Sequence, residues 1–379
     1  MTEQHFANAR LVLAEEVVTG HVSVRDGRIA AIGTGAVPAG AEDMGGDYLL
    51  PGLVELHTDH VEGHLHPRPK VRWNPLAAVL AHDAQIAASG ITTVFDSLRV
   101  WPDKKAVGMD GDAPVLIGAL KAARAASTLR ADHLLHLRCE VPTDTVVEDA
   151  EAILATTGVQ LISLMDHTPG QRQFASVEQF RSYYMKKSAI SAEEMDVIVA
   201  ARLDFHDRFA RENRAGLVAL AHAHGCVVAS HDDATPEHVA EAIGDGVAIA
   251  EFPTTQEAAR LSHEAGIRVL MGAPNLVRGG SHTGNVSAEA LARAGLLDIL
   301  SSDYVPSSLL WAAFDLARRV PPIGLPRAVR MVTKTPAEVA GLFDRGEIAE
   351  GRRADLVRVT LAGDMPVARA VWRQGLRVA

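Results

Sequence analysis

The sequence LLPGLVELHTD, residues 49–59, is an apolar run that ends in a histidine and an aspartate. A short apolar run beside a Pro-Gly pair is typical of a buried strand. Alternation along a strand turns residues two apart toward one side, so His57 and Asp59 are predicted to point the same way. Imidazole and carboxylate groups are both common metal ligands, so this step is predicted to contact one ion.

Further short apolar runs follow along the chain and alternate with helical patterns such as PLAAVLAHDAQIAASG, residues 75–90. This alternation predicts an α/β fold, a (β/α)8 TIM-like barrel of parallel strands covered by helices. The stretches 97–132 and 168–225 are long enough to hide another element and distort the regular order. Eight strands are predicted, at residues 48–57, 91–96, 133–140, 160–167, 226–231, 247–251, 268–272 and 297–303.

The two ends of the chain carry a different pattern. Residues 8–33 and the stretch from residue 345 onward are short β-rich runs separated by Gly and Asp, which indicate hairpins. We therefore predict one discontinuous small β-sandwich domain from residues 1–49 and 345–379. The barrel is predicted to span residues 50–344.

Composition restricts the class of protein. The chain has 37 Lys and Arg against 47 Asp and Glu, a formal charge of −10, so no basic field favours nucleic acid or a membrane surface. The two cysteines indicate neither a disulfide framework nor a thiolate zinc site. No run reaches the roughly 18 apolar residues that a membrane span needs, which predicts a soluble, cytoplasmic protein. A homo-oligomer is left open.

Polar residues close most of the predicted strands. In a barrel, the C-terminal ends of the strands face the catalytic mouth. A single histidine after a strand is more often a hydrogen-bonded structural residue, but several at one mouth favour a metal centre. Nitrogen and oxygen ligands without cysteine suit Zn, Mn, Fe, Co or Ni, and two divalent ions sharing Glu140 are predicted. The strand-end residues are His57, Asp96, Glu140, His167, His231 and Asp303.

This pattern resembles the amidohydrolase superfamily, with an H-x-D step after a PGL strand, single histidines on later strands and a last-strand aspartate. GEIAEGRRADLV, residues 346–357, is similar to the strand pair that closes the small domain of that superfamily. The long motifs DHTPGQRQF, residues 166–174, and MGAPNLVRGGSH, residues 271–282, resemble more narrowly the triphosphate diphosphohydrolases of the carbon-phosphorus lyase pathway. That resemblance extends over nearly the whole chain.

The resemblance implies metal-dependent hydrolysis of ribose 1-methylphosphonate 5-triphosphate to the 5-phosphate and pyrophosphate. Asp303 is then expected to act as the general base toward water. The metal ligands implied are His57, Asp59, Glu140, His167, His231 and Asp303.

One segment departs from that family. Residues 57–69 read HTDHVEGHLHPRP, whereas Asn more often follows the H-T-D step in similar proteins. His60, His64 and His66 therefore have two interpretations. They either face solvent or support the ligands, or they alter metal preference or substrate selection near the first strand.

An acidic protein that binds a triphosphate needs local donors, because phosphates are bound by Arg, Lys and backbone N–H groups. Arg278 is the preferred candidate, since Gly279 and Gly280 follow it and bare backbone can approach an anion closely. Lys186 lies in a long excursion with the length of a lid, and its alternative interpretation is a solvated surface charge. The predicted substrate-binding residues are Arg68, Arg172, Lys186, Arg278, Gly279, Gly280 and His282.

Two other functions remain open at this stage. A barrel of the same fold could hydrolyse a cyclic amide or deaminate a base, although such hydrolases often bridge their metals with a carbamylated lysine where this chain has Glu140. A barrel without activity could serve as a scaffold, but retention of all the predicted ligands disfavours that hypothesis.

Overall fold

The computed structural model describes residues 3–100, 112–174, 176–187, 191–281 and 284–379. Its strands are β1 Glu3–Val12, β2 Val17–Arg25, β3 Arg28–Gly33, β4 Glu42–Asp43, β5 Tyr48–Pro51, β6 Leu53–Thr58, β7 Ile91–Val100, β8 Asp132–Glu140, β9 Leu161–Met165, β10 Val227–His231, β11 Ile249–Glu251, β12 Arg268–Gly272, β13 Ile299–Ser301, β14 Leu356–Ala362, β15 Met365–Arg373 and β16 Leu376–Arg377. Its helices are α1 His60–Leu65, α2 Pro75–Ala88, α3 Ala113–Ala125, α4 Val146–Leu154, α5 Val177–Lys187, α6 Ala192–Ala223, α7 Pro236–Gly244, α8 Gln256–Glu264, α9 Ala273–Arg278, α10 Ala288–Arg293, α11 Ser308–Arg319, α12 Gly324–Arg330 and α13 Lys334–Val339.

The two ends of the chain form one sheet, in the order β16-β15-β14-β5-β1-β2-β3, with β4 paired to β1. The antiparallel register of β14 with β5 places Leu356 opposite Pro51, which joins the C-terminal strands to the N-terminal ones. Phe6 and Trp372 pack with their ring centroids 4.7 Å apart, in a buried apolar core drawn from both ends. The predicted pairing of the chain ends is therefore confirmed.

The predicted strand 48–57 is two strands in the structure. The chain breaks at Gly52, where β5 in the chain-end sheet gives way to β6 in the second sheet. A Cβ atom at Gly52 would overlap the Thr92 side chain, so only glycine permits this approach. The prediction of one continuous strand was wrong, because the close contact between Gly52 and Thr92 lies at the break and the local pattern gives no sign of it.

The second sheet has the strand order β13-β12-β11-β10-β9-β8-β7-β6, with parallel pairing between neighbours such as β8 and β9, β9 and β10, and β10 and β11. A parallel bridge between Thr58 and Asp303 joins the end of β6 to the segment after β13. The predicted fold class, an α/β barrel of the (β/α)8 type with a small β domain, is confirmed. Strand β7 continues past Asp96 to Val100, so Asp96 lies inside its strand and does not end it.

By internal contacts, the chain divides into two compact units. The first comprises Met1–Asp96, Leu116–Leu134 and Met271–Ala379, and the second comprises Ser97–Val115 and Leu135–Leu270. The chain-end sheet shares the first unit with β6 and β13. The domain limits at residues 49 and 345 therefore stay a prediction.

Much of the long excursion after β9 is helical. Helix α6 has 32 residues and begins with a capping box, in which Ser191 and Glu194 each accept a hydrogen bond from the backbone N–H of the other. Among the described residues, no helix is both long and apolar enough to cross a membrane. The segment predicted as a lid contains α5 and the long helix α6.

Candidate metal sites

In the second unit, three of the predicted ligands lie close together. Strand β8 ends at Glu140 and β10 ends at His231, while His167 follows β9. Nδ1 of His167 lies 2.7 Å from Oε2 of Glu140, and the ring centroids of His167 and His231 are 5.7 Å apart. Parallel strands end at the same edge of a sheet, which is why these side chains meet.

Asp232 joins this group, although the sequence did not single it out. Oδ2 of Asp232 lies 2.8 Å from Nδ1 of His231 and 3.8 Å from Nε2 of His167. One potential ligand atom from each of the three residues falls within 4.8 Å of the others. Asp232 has φ of 57°, a left-handed conformation that is uncommon outside glycine. The carboxylate directly after His231, in the sequence SHDD of residues 230–233, was the available signal.

Charge and burial have opposite effects on the pKa values of Glu140 and His167. Burial alone would raise the pKa of Glu140, but the charge and hydrogen bonds of His167 outweigh it and hold that pKa below its ordinary value. Burial likewise acts to lower the pKa of His167, and the Glu140 carboxylate outweighs it and raises the pKa. Two imidazoles and two carboxylates form a nitrogen and oxygen donor set that fits Zn, Mn, Fe, Co or Ni. Binding of such an ion releases any proton held by a ligand histidine.

In the first unit, His57, Asp59 and Asp303 come to one edge of the sheet. Thr58 Oγ1 donates to the backbone oxygen of Asp303 at 2.6 Å, and Ser301 Oγ donates to the backbone oxygen of His57 at 2.6 Å. These bonds fix the backbone on either side of the proposed ligands. The carboxyl ends of the first and last strands therefore lie together, as the barrel predicts.

Asp59 does not belong to the strand that precedes it. Strand β6 ends at Thr58, and Asp59 is the N-cap residue of α1, with φ of −98° and ψ of 12°. Alternation between His57 and Asp59 therefore does not apply, because the backbone is no longer extended at Asp59. Their role as ligands stays a proposal.

The buried carboxyl group of Glu55 is hydrogen-bonded to the backbone of this edge. Glu55 accepts hydrogen bonds from the backbone N–H groups of His57 and Ser302, and its Oε1 lies 2.9 Å from the Ser301 hydroxyl oxygen. Burial raises the pKa of Glu55 to about 7, against the opposing effect of these donors. The sequence offered no signal for this residue beyond a charged residue within an apolar run.

Arg172, predicted to bind phosphate, lies in an ion-pair network of the second unit. Its side chain is 5% exposed and pairs with Asp233 through Nη1 and with Glu241 through Nη2, the latter at 2.6 Å. Both terminal nitrogens of the guanidinium therefore have carboxylate partners. A phosphate would have to compete with them for Arg172.

Arg278 is exposed at the last position of α9. Gly279 follows with φ of 82°, and the N–H groups of Gly279 and Gly280 donate to the carbonyls of Leu276 and Asn275. These two bonds form a Schellman motif, so helix termination is one reason for the glycine pair. The sequence interpretation attributed the pair to anion binding alone.

The remaining predicted phosphate ligands differ in what the structure describes. Arg68 is exposed in the first unit and forms a β-bridge with Val71. Lys186 lies in α5, and its side chain is outside the described atoms. His282 lies outside the described residues.

Comparisons with known proteins agree with this fold. The profile of the Amidohydrolase family matches residues 84–379. The chain is 46% identical over 374 residues to the alpha-D-ribose 1-methylphosphonate 5-triphosphate diphosphatase of Escherichia coli (strain K12), which covers 98% of this chain and 99% of that protein. It is 30% identical over 156 residues to a D-hydantoinase of Rhizobium radiobacter, covering 38% of this chain and 29% of that protein.

Solved structures of low sequence identity share the fold. A 5-methylcytosine deaminase from Klebsiella pneumoniae superimposes with a TM-score of 0.66 at 17% identity, covering 99% of this chain and 98% of that chain. An N-acetyl-D-glucosamine-6-phosphate deacetylase from Mycobacterium smegmatis gives a TM-score of 0.65 at 17% identity, covering all of both chains. At such identity these likenesses establish the architecture.

Proposed function

Because the chain belongs to the amidohydrolase family, we propose that it hydrolyses alpha-D-ribose 1-methylphosphonate 5-triphosphate to the 5-phosphate and pyrophosphate. The observation that carries this proposal is the 46% identity, over 98% of the chain, to the E. coli enzyme of that name. The match over 98% of the chain spans the strand ends and the loops after them, where a barrel holds its specificity.

The proposed metal ligands are those of the sequence prediction, with Asp232 as an addition. His57, Asp59 and Asp303 belong to the first unit, and Glu140, His167 and His231 to the second. When bound, divalent cations neutralise phosphoryl charge and make water more acidic. Two ions per chain are proposed, because this number of ligands exceeds what one open catalytic ion needs.

The chain's own residues have separate roles in the proposal. An Asp303 carboxylate oxygen accepts the proton of the attacking water, since its position after β13 places it at the strand-end edge beside His57 and Asp59. Glu55 receives two backbone N–H groups of that edge and thereby holds its shape. Arg278 contacts the polyphosphate as an exposed cation.

The rival function is hydrolysis of a cyclic amide or deamination. Its support is the partial similarity to a D-hydantoinase, which spans 38% of this chain. Glu140 disfavours it, because a carboxylate takes the position at which many cyclic-amide hydrolases bridge their metals with a modified lysine. The two functions differ in whether phosphorus or carbon is attacked.

A comparison of kcat/KM values among several substrates tests the proposal. Purified protein is supplied in turn with Zn²⁺, Mn²⁺, Fe²⁺, Co²⁺ and Ni²⁺ and assayed on the ribose triphosphate, ATP, GTP, hydantoin and dihydrouracil. We expect the highest kcat/KM on the ribose triphosphate, with pyrophosphate as product. A higher kcat/KM on either cyclic amide would replace the proposal with its rival, and equal values for all three triphosphates would remove the ribose phosphonate specificity.

A further inference from the structure

Three histidines of the first unit lie close together on α1 and α2, and none of them is among the metal ligands proposed above. His60 and His64 lie one turn apart on α1, and His82 lies on α2, fully buried. The ring centroids of His60 and His64 are 4.8 Å apart, and those of His60 and His82 are 5.6 Å apart. One potential ligand atom from each of the three lies within 4.8 Å of the others.

We propose that His60, His64 and His82 form a transition-metal site, of the kind that binds zinc, in addition to the catalytic ligand set. Imidazole nitrogens suit Zn, Cu, Ni and Co, whereas Mg and Ca prefer oxygen. Three imidazoles with a fourth position open to water complete a tetrahedral coordination shell.

The spacing of the first two nitrogens already fits such an ion. Nδ1 of His60 lies 3.3 Å from Nδ1 of His82. Two Zn–N bonds of about 2.0–2.1 Å at a tetrahedral angle place their nitrogens roughly 3.3 Å apart. A ligand atom of His64 lies within 4.8 Å of one on each of the other two rings, so His64 must move closer to bind the same ion.

A carboxylate on the side away from His60 favours one tautomer of His82. Nε2 of His82 donates to Oδ1 of Asp96 at 2.9 Å, and both side chains are fully buried. A proton on Nε2 leaves Nδ1 of the neutral ring with a lone pair directed at His60. A carboxylate that holds the remote nitrogen of a histidine is the arrangement typical of metal-ligating histidines.

Asp96 is itself held in place. Its other oxygen, Oδ2, lies 2.8 Å from Nδ1 of His133, and Nε2 of His133 lies 3.3 Å from Oδ1 of Asp83. Asp83 in turn accepts hydrogen bonds from the backbone N–H groups of Arg130 and Ala131. The orientation of His82 is thus fixed through a chain of buried contacts that ends on backbone.

A hydrogen-bonded cluster of the three histidines without an ion accounts for fewer of their buried nitrogens. It would require His60 Nδ1 to donate to His82 Nδ1, and it still leaves Nε2 of His64 buried without a hydrogen-bond partner among the described residues. An unsatisfied buried nitrogen costs about 1–3 kcal/mol. An ion would serve as the partner of all three rings.

The site would join α1 to α2 next to Asp59, a proposed catalytic ligand. Helix α1 has six residues and starts directly after Asp59, a proposed catalytic ligand. A helix this short has little stability of its own, so tertiary contacts must hold it. An ion bound to His60, His64 and His82 would fasten α1 to α2 and so fix the segment that carries Asp59.

Anomalous scattering tests the proposal directly. Crystals of the protein prepared with excess Zn²⁺ and then washed free of it are measured at energies above and below the zinc edge. We expect an anomalous peak among the rings of His60, His64 and His82. An absence of any peak there would overturn the site, even if other zinc positions are filled.

Two variants supply the controls. His64→Gln should lose this peak and about one bound zinc per chain, whereas His66→Gln, two residues away, should retain both. Glu140→Gln should retain the peak as well, which separates this site from the catalytic proposal. Equal zinc content in His64→Gln and the parent protein, or an equal loss in His66→Gln, would reject the assignment.

Discussion

Both carboxylate oxygens of Glu140 contact His167. Oε1 accepts from the backbone N–H of His167 at 2.7 Å, and Oε2 lies 2.7 Å from Nδ1 of its ring. The last residue of β8 is therefore tied to both the main chain and the side chain of the segment after β9. This contact sets the geometry of the metal ligands proposed in the second unit.

Glu140→Gln should lower metal content and turnover together. A neutral amide of the same shape retains part of the hydrogen bonding but binds cations poorly, so we expect a loss of about tenfold to a hundredfold or more in metal affinity. Metal analysis after dialysis and kcat on the ribose triphosphate measure the two effects. Glu148→Gln, an exposed glutamate on α4, is the matched control. A Glu140→Gln protein with normal metal content and turnover would remove Glu140 from the ligand set.

Arg278→Ala should impair use of the triphosphate and leave the metals bound. Loss of one charge-assisted contact to phosphate costs about 1.5–3 kcal/mol, roughly tenfold to somewhat over a hundredfold in kcat/KM. Arg260→Ala is the control, because Arg260 is a surface arginine that pairs with Glu264 on the same helix. Unchanged kinetics in Arg278→Ala would mean that Arg278 does not contact the substrate and is only a solvated charge at the end of α9.

The position of the attacked phosphorus can be read from isotope placement. We expect attack at the α-phosphorus, so hydrolysis in oxygen-18 water should label the sugar 5-phosphate and leave pyrophosphate unlabelled. Mass spectrometry of both products measures this. Label in pyrophosphate would place attack at the β-phosphorus, and labelled orthophosphate would contradict the diphosphohydrolase function itself.

Arg172→Ala should chiefly reduce stability. Asp233 is buried and would lose its cationic partner, and breaking a buried pair on one side costs about 3–5 kcal/mol. Denaturant unfolding measures the change, and Arg172→Ala with Asp233→Ala should recover part of it. If Arg172→Ala is as stable as the parent but its KM for the triphosphate rises, Arg172 contacts phosphate as the sequence suggested.

Asp132 should contribute a pH-dependent part of the stability. It lies 2.7 Å from Arg353, 3.0 Å from Arg345 and 3.2 Å from Arg373. Burial opposes ionisation of Asp132, but the charge of Arg353 and the other two arginines outweighs it and lowers the pKa from its ordinary value of 3.8.

A lowered native pKa means that the folded state binds the proton less tightly than the unfolded state. The stabilisation is therefore complete above the unfolded pKa and disappears as pH falls through the lower native pKa. We expect Asp132→Asn to cost about 1–3 kcal/mol at pH 7 and progressively less below pH about 3.8. Unfolding free energies of both proteins across this range measure the difference, and a difference independent of pH would contradict the ionic role.

The sequence by itself determined the strands of the barrel sheet apart from the break at Gly52, the pairing of the chain ends, and the positions of Glu140 and His231 at strand ends with His167 just after one. Strands and helices are encoded by local periodicity, and the edge at which parallel strands end follows from the fold class. The order of residues along the chain is therefore enough to locate the polar side chains at that edge.

Only the tertiary structure decided which side chains face each other. It brought the αL residue Asp232 to 3.8 Å from His167, paired Arg172 with Asp233, and packed α1 on α2 so that His60 meets His82. These contacts depend on left-handed backbone angles, helix packing and the competition of carboxylates for a buried cation. None of these leaves a periodic trace in the sequence, because each arises between residues whose positions the fold alone brings together.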